Sequence, residues 1–129
     1  MERLATAWST QDTELGLSCF TDDAVYMEPP DIQLYLGQEE LRPYFAALSA
    51  DTFMHFHNLM LDETGRIGAG EYSFGTAADP TADHGVAVVE LEEQRIAFWR
   101  EYQRKGPTPF SRFIERDGKV WQWHIGNYP

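Results

Sequence analysis

The sequence predicts an α+β fold in which three N-terminal helices precede a consecutive, antiparallel sheet. Three observations carry this. Apolar residues recur at helical spacing up to about residue 49, strand-like stretches follow from Thr52 onward, and short turn signals separate those stretches. With 129 residues, 43% of them hydrophobic, the chain has enough material for one domain with a real core.

Residues 2–9 put Leu4 and Trp8 four apart, on one face of a first helix. Asp12 or Thr13 can cap a second helix, with Glu14 in its first turn, Leu15 and Cys19 on one row and Phe20 near its end. Thr21-Asp22-Asp23 is expected to break that helix before a short strand, Ala24–Met27, which Pro29-Pro30 ends. Leu34–Leu36 pairs back as a small hairpin. A third helix follows over 38–49, with Leu41, Phe45 and Leu48 at helical spacing. Pro43 fits only near a first turn, so an irregular start is expected there.

Four strands are expected at 52–61, 66–76, 84–92 and 95–104, with turns at Asp62–Gly65 and at Glu93-Gln94 and a polar loop over Ala77–Asp83. Residues 110–115 and 119–125 flank Arg116-Asp117-Gly118, whose Asp-Gly step signals a C-terminal hairpin. Residues 1–129 thus read as one domain, with that hairpin as its C-terminal part over 106–129 and the helices and four strands over 1–105. Val86–Leu91 is apolar at almost every position, whereas a sheet with one wet face alternates. Both faces are therefore expected to be covered, the outer one by a second copy of the chain in a homodimer.

The formal net charge is -11, which disfavours nucleic acid and anionic membrane surfaces as partners. No apolar run approaches the roughly 20 residues of a membrane-spanning helix, and the N-terminus lacks a basic-then-apolar signal pattern. One cysteine, Cys19, excludes an intrachain disulfide and fits a reducing compartment, so a cytoplasmic location is expected. Cys19 lies in an apolar helical stretch and reads as a small buried hydrophobe.

Several segments, taken in order, resemble the SnoaL-like branch of the nuclear-transport-factor-2-like superfamily. They are Phe20–Tyr26 (FTDDAVY), Glu28-Pro29, Gly37–Leu41, Gly70–Thr76 and Arg95–Tyr102. The resemblance covers about residues 1–105. It implies a cone-shaped curved sheet packed against three helices around a pocket, with ketosteroid isomerases, limonene-epoxide hydrolases and polyketide cyclases as relatives. By that resemblance Glu28 falls where isomerases keep their general base, but Leu4 and Ala87 replace the tyrosine and aspartate of the oxyanion hole. It also matches Tyr26 to the water-holding tyrosine of the epoxide hydrolases and Glu101 to one of their acidic groups. The same Glu101 falls at the acid–base aspartate of the cyclases, whose companion histidine position is again Ala87.

The candidate catalytic residues are therefore Glu101, Glu28, Tyr26 and, as a proton-transfer group at the pocket rim, His84. Trp8, Phe45, Tyr72 and Trp99 are candidate substrate-binding residues. Two carboxyls facing one apolar cavity repel, which pushes one pKa up and leaves the other group ionised, an acid and a base together. Each residue also has an ordinary reading: Glu101 in a surface ion pair with Arg95 or Arg100, Glu28 as a solvated turn acid, Tyr26 as a core tyrosine. His55 and His57 share a strand face at a metal-ligand spacing, but no suitable third ligand follows, and paired strand histidines are the ordinary reading. Nothing resembles a phosphate-cradling glycine loop or a nucleophile elbow. The expectation is a cofactor-free, metal-free acid–base enzyme acting on a small, largely apolar oxygenated molecule. The alternatives are a non-catalytic pocket domain that binds a small molecule or partner, and a protein whose filled core serves only assembly.

Overall fold

The computed structural model describes residues 1–28 and 33–115. Helix α1 spans Glu2–Thr10, α2 Thr13–Ser18 and α3 Gly37–Ala46. The strands are β1 Phe20–Met27, β2 Leu34–Leu36, β3 Thr52–Leu61, β4 Ile67–Thr76, β5 Ala82–Glu92 and β6 Arg95–Gly106. A helical turn, α4, covers Phe110–Phe113.

The six strands form one sheet in the order β2-β1-β6-β5-β4-β3. All neighbours are antiparallel except β1 and β6, which run parallel. That pairing departs from the wholly antiparallel expectation. It arises because the meander β3–β6 turns back and delivers its last strand beside the first one. α1 packs chiefly across β3 and α3 across β1, so the helices cover one face of the sheet. Leu4, Trp8, Phe20, Leu41, Phe45, Val89, Ile96 and Trp99 are buried between the layers.

Local chemistry explains where elements begin and end. The Asp12 carboxylate accepts from Leu15 N–H and caps α2, as expected of it. Cys19 is buried and donates its thiol to the Leu15 carbonyl. β1 starts at Phe20 rather than Ala24. Phe20 pairs with Ile96, the register then slips before Val25, and Thr21-Asp22-Asp23 occupy that irregular stretch instead of a loop. Gln38 anchors it by donating to the carbonyls of Leu17 and Phe20.

The start of α3 is irregular as expected, but at Gly37 rather than at Pro43. Gly37 enters it at φ 73°, where a Cβ would lie 3.1 Å from the Asp22 carbonyl. Glu40 reaches back to accept from Leu36 N–H at 2.7 Å. Pro43 sits in the body of the helix, which ends at Ala46, one turn beyond it and short of residue 49.

The first arm of the expected C-terminal hairpin is also corrected. Residues 110–113 form a helical turn whose rings sit on the outer sheet face, Phe110 stacked on His57 at 3.5 Å and Phe113 edge-on to His84 at 5.0 Å. Aromatic contact with two strand imidazoles outweighs the local strand pattern. The second arm, 119–125, lies outside the described residues, as do Pro29 and Pro30. Among the described residues no helix is long and apolar enough to cross a membrane.

Candidate functional site

The helix-covered face of the sheet carries a cluster of titratable side chains within otherwise apolar packing. On β6, Ile96, Trp99, Glu101 and Gln103 face inward, and on β1 Tyr26 and then Glu28, just past the strand's end, approach the same place. Register produces this. Tyr26 is the Cα partner of Trp99, and their rings stack at 5.5 Å with 3° between planes. The residues two further along each chain, Glu28 and Glu101, therefore meet beyond the stacked rings.

Glu101 is 2% exposed and Glu28 8%. Trp99 Nε1 donates to Glu101 Oε2 at 2.9 Å. Gln103 Nε2 lies 3.5 Å from Glu28 Oε1, while Glu28 Oε2 is buried with no hydrogen-bond partner among the described residues. Neither carboxyl forms an ion pair among the described residues, although five other ion pairs are present there. The surface-pair reading of Glu101 with Arg95 or Arg100 is thereby excluded, since those arginines hold Asp22 and Glu90. Burial, and then the neighbouring Glu28 charge, push the Glu101 pKa up to about 9. Burial and the mutual repulsion of the two carboxyls thus favour retention of a proton within the pair.

Three phenols surround the pair. Tyr26 Oη and Tyr44 Oη are 3.5 Å apart, and Tyr72 Oη donates to Gln103 Oε1 at 2.9 Å. Burial holds all three hydroxyls well above the usual tyrosine range, reinforced at Tyr26 by Tyr44, at Tyr44 by Glu28 and at Tyr72 by Glu101. They remain neutral donors at any physiological pH.

Trp8 and Phe45 are core side chains rather than exposed walls. Both are fully buried, 5.7 Å apart, and Trp8 packs on Trp99 at the same distance. They form the floor on which the Trp99–Tyr26 stack rests. Tyr72 and Trp99 do reach the acid pair.

His84 does not join this site. Strand parity puts it on the opposite face, because Ala87 and Gly85 point inward opposite Glu101 and Gln103. There its Nδ1 lies 2.7 Å from Ser73 Oγ, which is also 2.7 Å from His57 Nε2. It borders a separate cavity of about 580 Å³ with Val86, Tyr102 and Phe110. Burial, with His55 and His84 nearby, lowers the His57 pKa. Among the described residues no three or more His, Cys, Asp or Glu side chains are arranged to hold a metal.

Two members of the inner cluster are not among the candidate site residues. The period of two already places Gln103 on the face of Trp99 and Glu101, without marking it as part of a site. Tyr44 stands three residues after Leu41 and four before Leu48, on the same helical face, so the helical period was the signal available for it.

A curved six-stranded sheet covered on one face by N-terminal helices, with acids and phenols buried between them, defines the α+β class of the chain. The chain is a member of the SnoaL-like domain family, whose sequence model matches residues 1–99. Solved structures of this fold superpose on it at low identity. An epoxide hydrolase of Mycobacterium tuberculosis resembling limonene-epoxide hydrolases is 19% identical with a TM-score of 0.63, over 80% of this chain and 78% of that one. SalBIII, an epoxide hydrolase/cyclase-like enzyme of pyran ring formation in salinomycin, is 19% identical with a TM-score of 0.70, over 80% and 86%. A protein of ketosteroid isomerase-like fold from Catenulispora acidiphila, in complex with trimethylamine, is 17% identical with a TM-score of 0.65, over 78% and 82%. No curated protein matches the sequence.

Proposed function

We propose that the chain is a cofactor-free acid–base enzyme that isomerises, cyclises or hydrates a small, largely apolar oxygenated molecule. The observation that carries this is the buried carboxyl pair, Glu28 and Glu101, which meets phenols and an indole but no cation among the described residues. Burying two acids together is costly for a fold, so a purely structural role gives no account of it. Glu101, holding its proton, donates to a substrate oxygen as that oxygen gains charge. Glu28, through its unpartnered Oε2, takes the proton from an attacking hydroxyl or an activated C–H. Tyr26 and Tyr44 supply neutral hydroxyl donors beside the developing oxyanion. Ala87, opposite Glu101, offers no polar group there, so these phenols stand in for the donors that the isomerase pattern places elsewhere. The hydrolase and cyclase relatives support the class of chemistry and leave the substrate open. The single cysteine supports a reducing, cytoplasmic setting, and the apolar outer sheet face supports a homodimer.

The test is turnover of a panel of epoxides, hydroxy-epoxides and unsaturated ketones. Both Glu101→Gln and Glu28→Gln are expected to lower kcat by at least about 100-fold. The rate should fall on the alkaline side as Glu101 loses its proton near pH 9. If Glu101→Gln keeps the full rate, the mechanism is wrong. A panel compound bound tightly yet returned unchanged by the wild-type protein would favour a binding domain instead.

A further inference from the structure

An indole nitrogen can only donate, and a buried donor without an acceptor is rare in a folded protein. Trp8 is fully buried, and its Nε1 has no hydrogen-bond partner among the described residues. The ring is not free to turn and find one. Phe45 and Trp99 hold it at centroid distances of 5.7 Å each, and Phe74 at 6.4 Å. A phenylalanine would pack on the same three rings and leave no donor unmet. Packing therefore accounts for the ring of Trp8 and not for its nitrogen.

That nitrogen faces the acid–phenol cluster. Burial and the Glu28 charge, which raise the Tyr44 pKa, are opposed there by the Tyr26 hydroxyl and the Trp8 N–H. Trp8 Nε1 thus approaches Tyr44 Oη without reaching hydrogen-bond geometry. Tyr44 Oη lies 3.5 Å from Tyr26 Oη, and both hydroxyls sit in the field of both carboxyls. Three donors meet at this point. One phenol can donate to the other, which leaves one O–H and the Trp8 N–H without an acceptor among the described residues. Neutral donors held in place by aromatic packing suit an uncharged oxygen that gains negative charge as it reacts, such as a carbonyl or epoxide oxygen. A cationic ligand would meet N–H and O–H protons there.

We propose that Trp8 is a further catalytic residue, its indole N–H donating, beside the Tyr44 hydroxyl, to the carbonyl or epoxide oxygen that receives the Glu101 proton. This rests on the acid–base reading above and adds to it a donor from α1 and the chemistry of the reacting oxygen. Glu28 takes a proton from the attacking hydroxyl or the C–H, the displaced electron pair settles on that oxygen, and Glu101 protonates it. The carboxyl pair holds one proton before and after the step.

The test is NMR of the full chain labelled with 15N-tryptophan, using 2-cyclohexenone and cyclohexene oxide as probes and cyclohexene as the oxygen-free control. The Trp8 Nε1–H signal is identified by its loss in Trp8→Phe, or by elimination through Trp99→Phe, Trp121→Phe and Trp123→Phe if that variant does not fold. Its proton should move downfield with either oxygen-bearing probe and stay in place with cyclohexene. Trp8→Phe should lower kcat by about 100-fold on whichever of the two is turned over, with KM changing far less. A Trp8 signal that stays in place while a probe is bound and turned over overturns the inference and leaves the acid–base reading standing. A shift on binding without turnover overturns the acid–base reading, and the catalytic role of Trp8 with it. Neither binding nor turnover of the two probes, with other epoxides or ketones turned over and Trp8→Phe as fast as the wild-type protein on them, overturns the role of Trp8 alone.

Discussion

At the scale of single residues, Glu101 ties function to stability. An acid whose pKa rises from 4.5 to about 9 on folding keeps its proton in the native state while the unfolded chain has lost it. The native state binds more protons throughout that interval, so stability falls as pH rises from about 4.5 towards 9, by at most about 1.4 kcal/mol per unit crossed. Glu101→Gln removes the titration while keeping the shape. The variant should therefore gain on the wild-type protein as pH rises, by about 1–3 kcal/mol at pH 7, with the gap closing near pH 5. Urea unfolding at several pH values reads this directly. A gap independent of pH would mean that Glu101 is ionised in the folded protein.

At the scale of elements, what could be read in advance followed from period and punctuation. The alternation that places Trp99 and Glu101 on one face of β6 is visible in the chain, and so is the Leu41–Phe45 row of α3. What was hidden depended on register between distant strands. No local signal says that β1 runs parallel to β6 with Tyr26 opposite Trp99, yet this pairing brings Glu28 to Glu101. His84 was misplaced for the same reason, since only its pairing with Arg104 reveals which way it faces. The turn at Glu93-Gln94 was foreseen in place but not in its cost. Both residues have positive φ, 49° and 66°, as a type I′ turn requires, and neither is Asn or Gly. Replacing the pair by Asn-Gly should stabilise the protein by about 0.5–1 kcal/mol, seen as a higher denaturation midpoint with an unchanged slope. A destabilised variant would mean that the Glu93 or Gln94 side chain makes a contact worth more than the backbone strain.

At the scale of the whole molecule, the two faces of the sheet have separate tasks, and this separation makes the homodimer proposal testable without disturbing the acid pair. The inner face carries the carboxyls, and the outer face carries Val86 and Tyr102, which are direct cross-strand partners and both exposed. An exposed apolar pair in the middle of two central strands is an unusual feature for a monomer surface. Association would bring together two chains each of net charge -11. Long-range repulsion then opposes the apolar contact, and salt, by screening it, should strengthen the dimer rather than weaken it. Sedimentation equilibrium should give twice the chain mass, with a dissociation constant that falls as sodium chloride is raised from 20 to 500 mM (roughly a 20 Å to a 4 Å screening length). Val86→Lys combined with Tyr102→Lys should give a monomer. These lysines lower the long-range repulsion between the chains, so dissociation would come from the contact itself, where apolar area is lost and unpaired charge is buried. A double variant that stays dimeric places the interface elsewhere, and a wild-type protein that is monomeric at every salt concentration leaves the outer face to α4 alone.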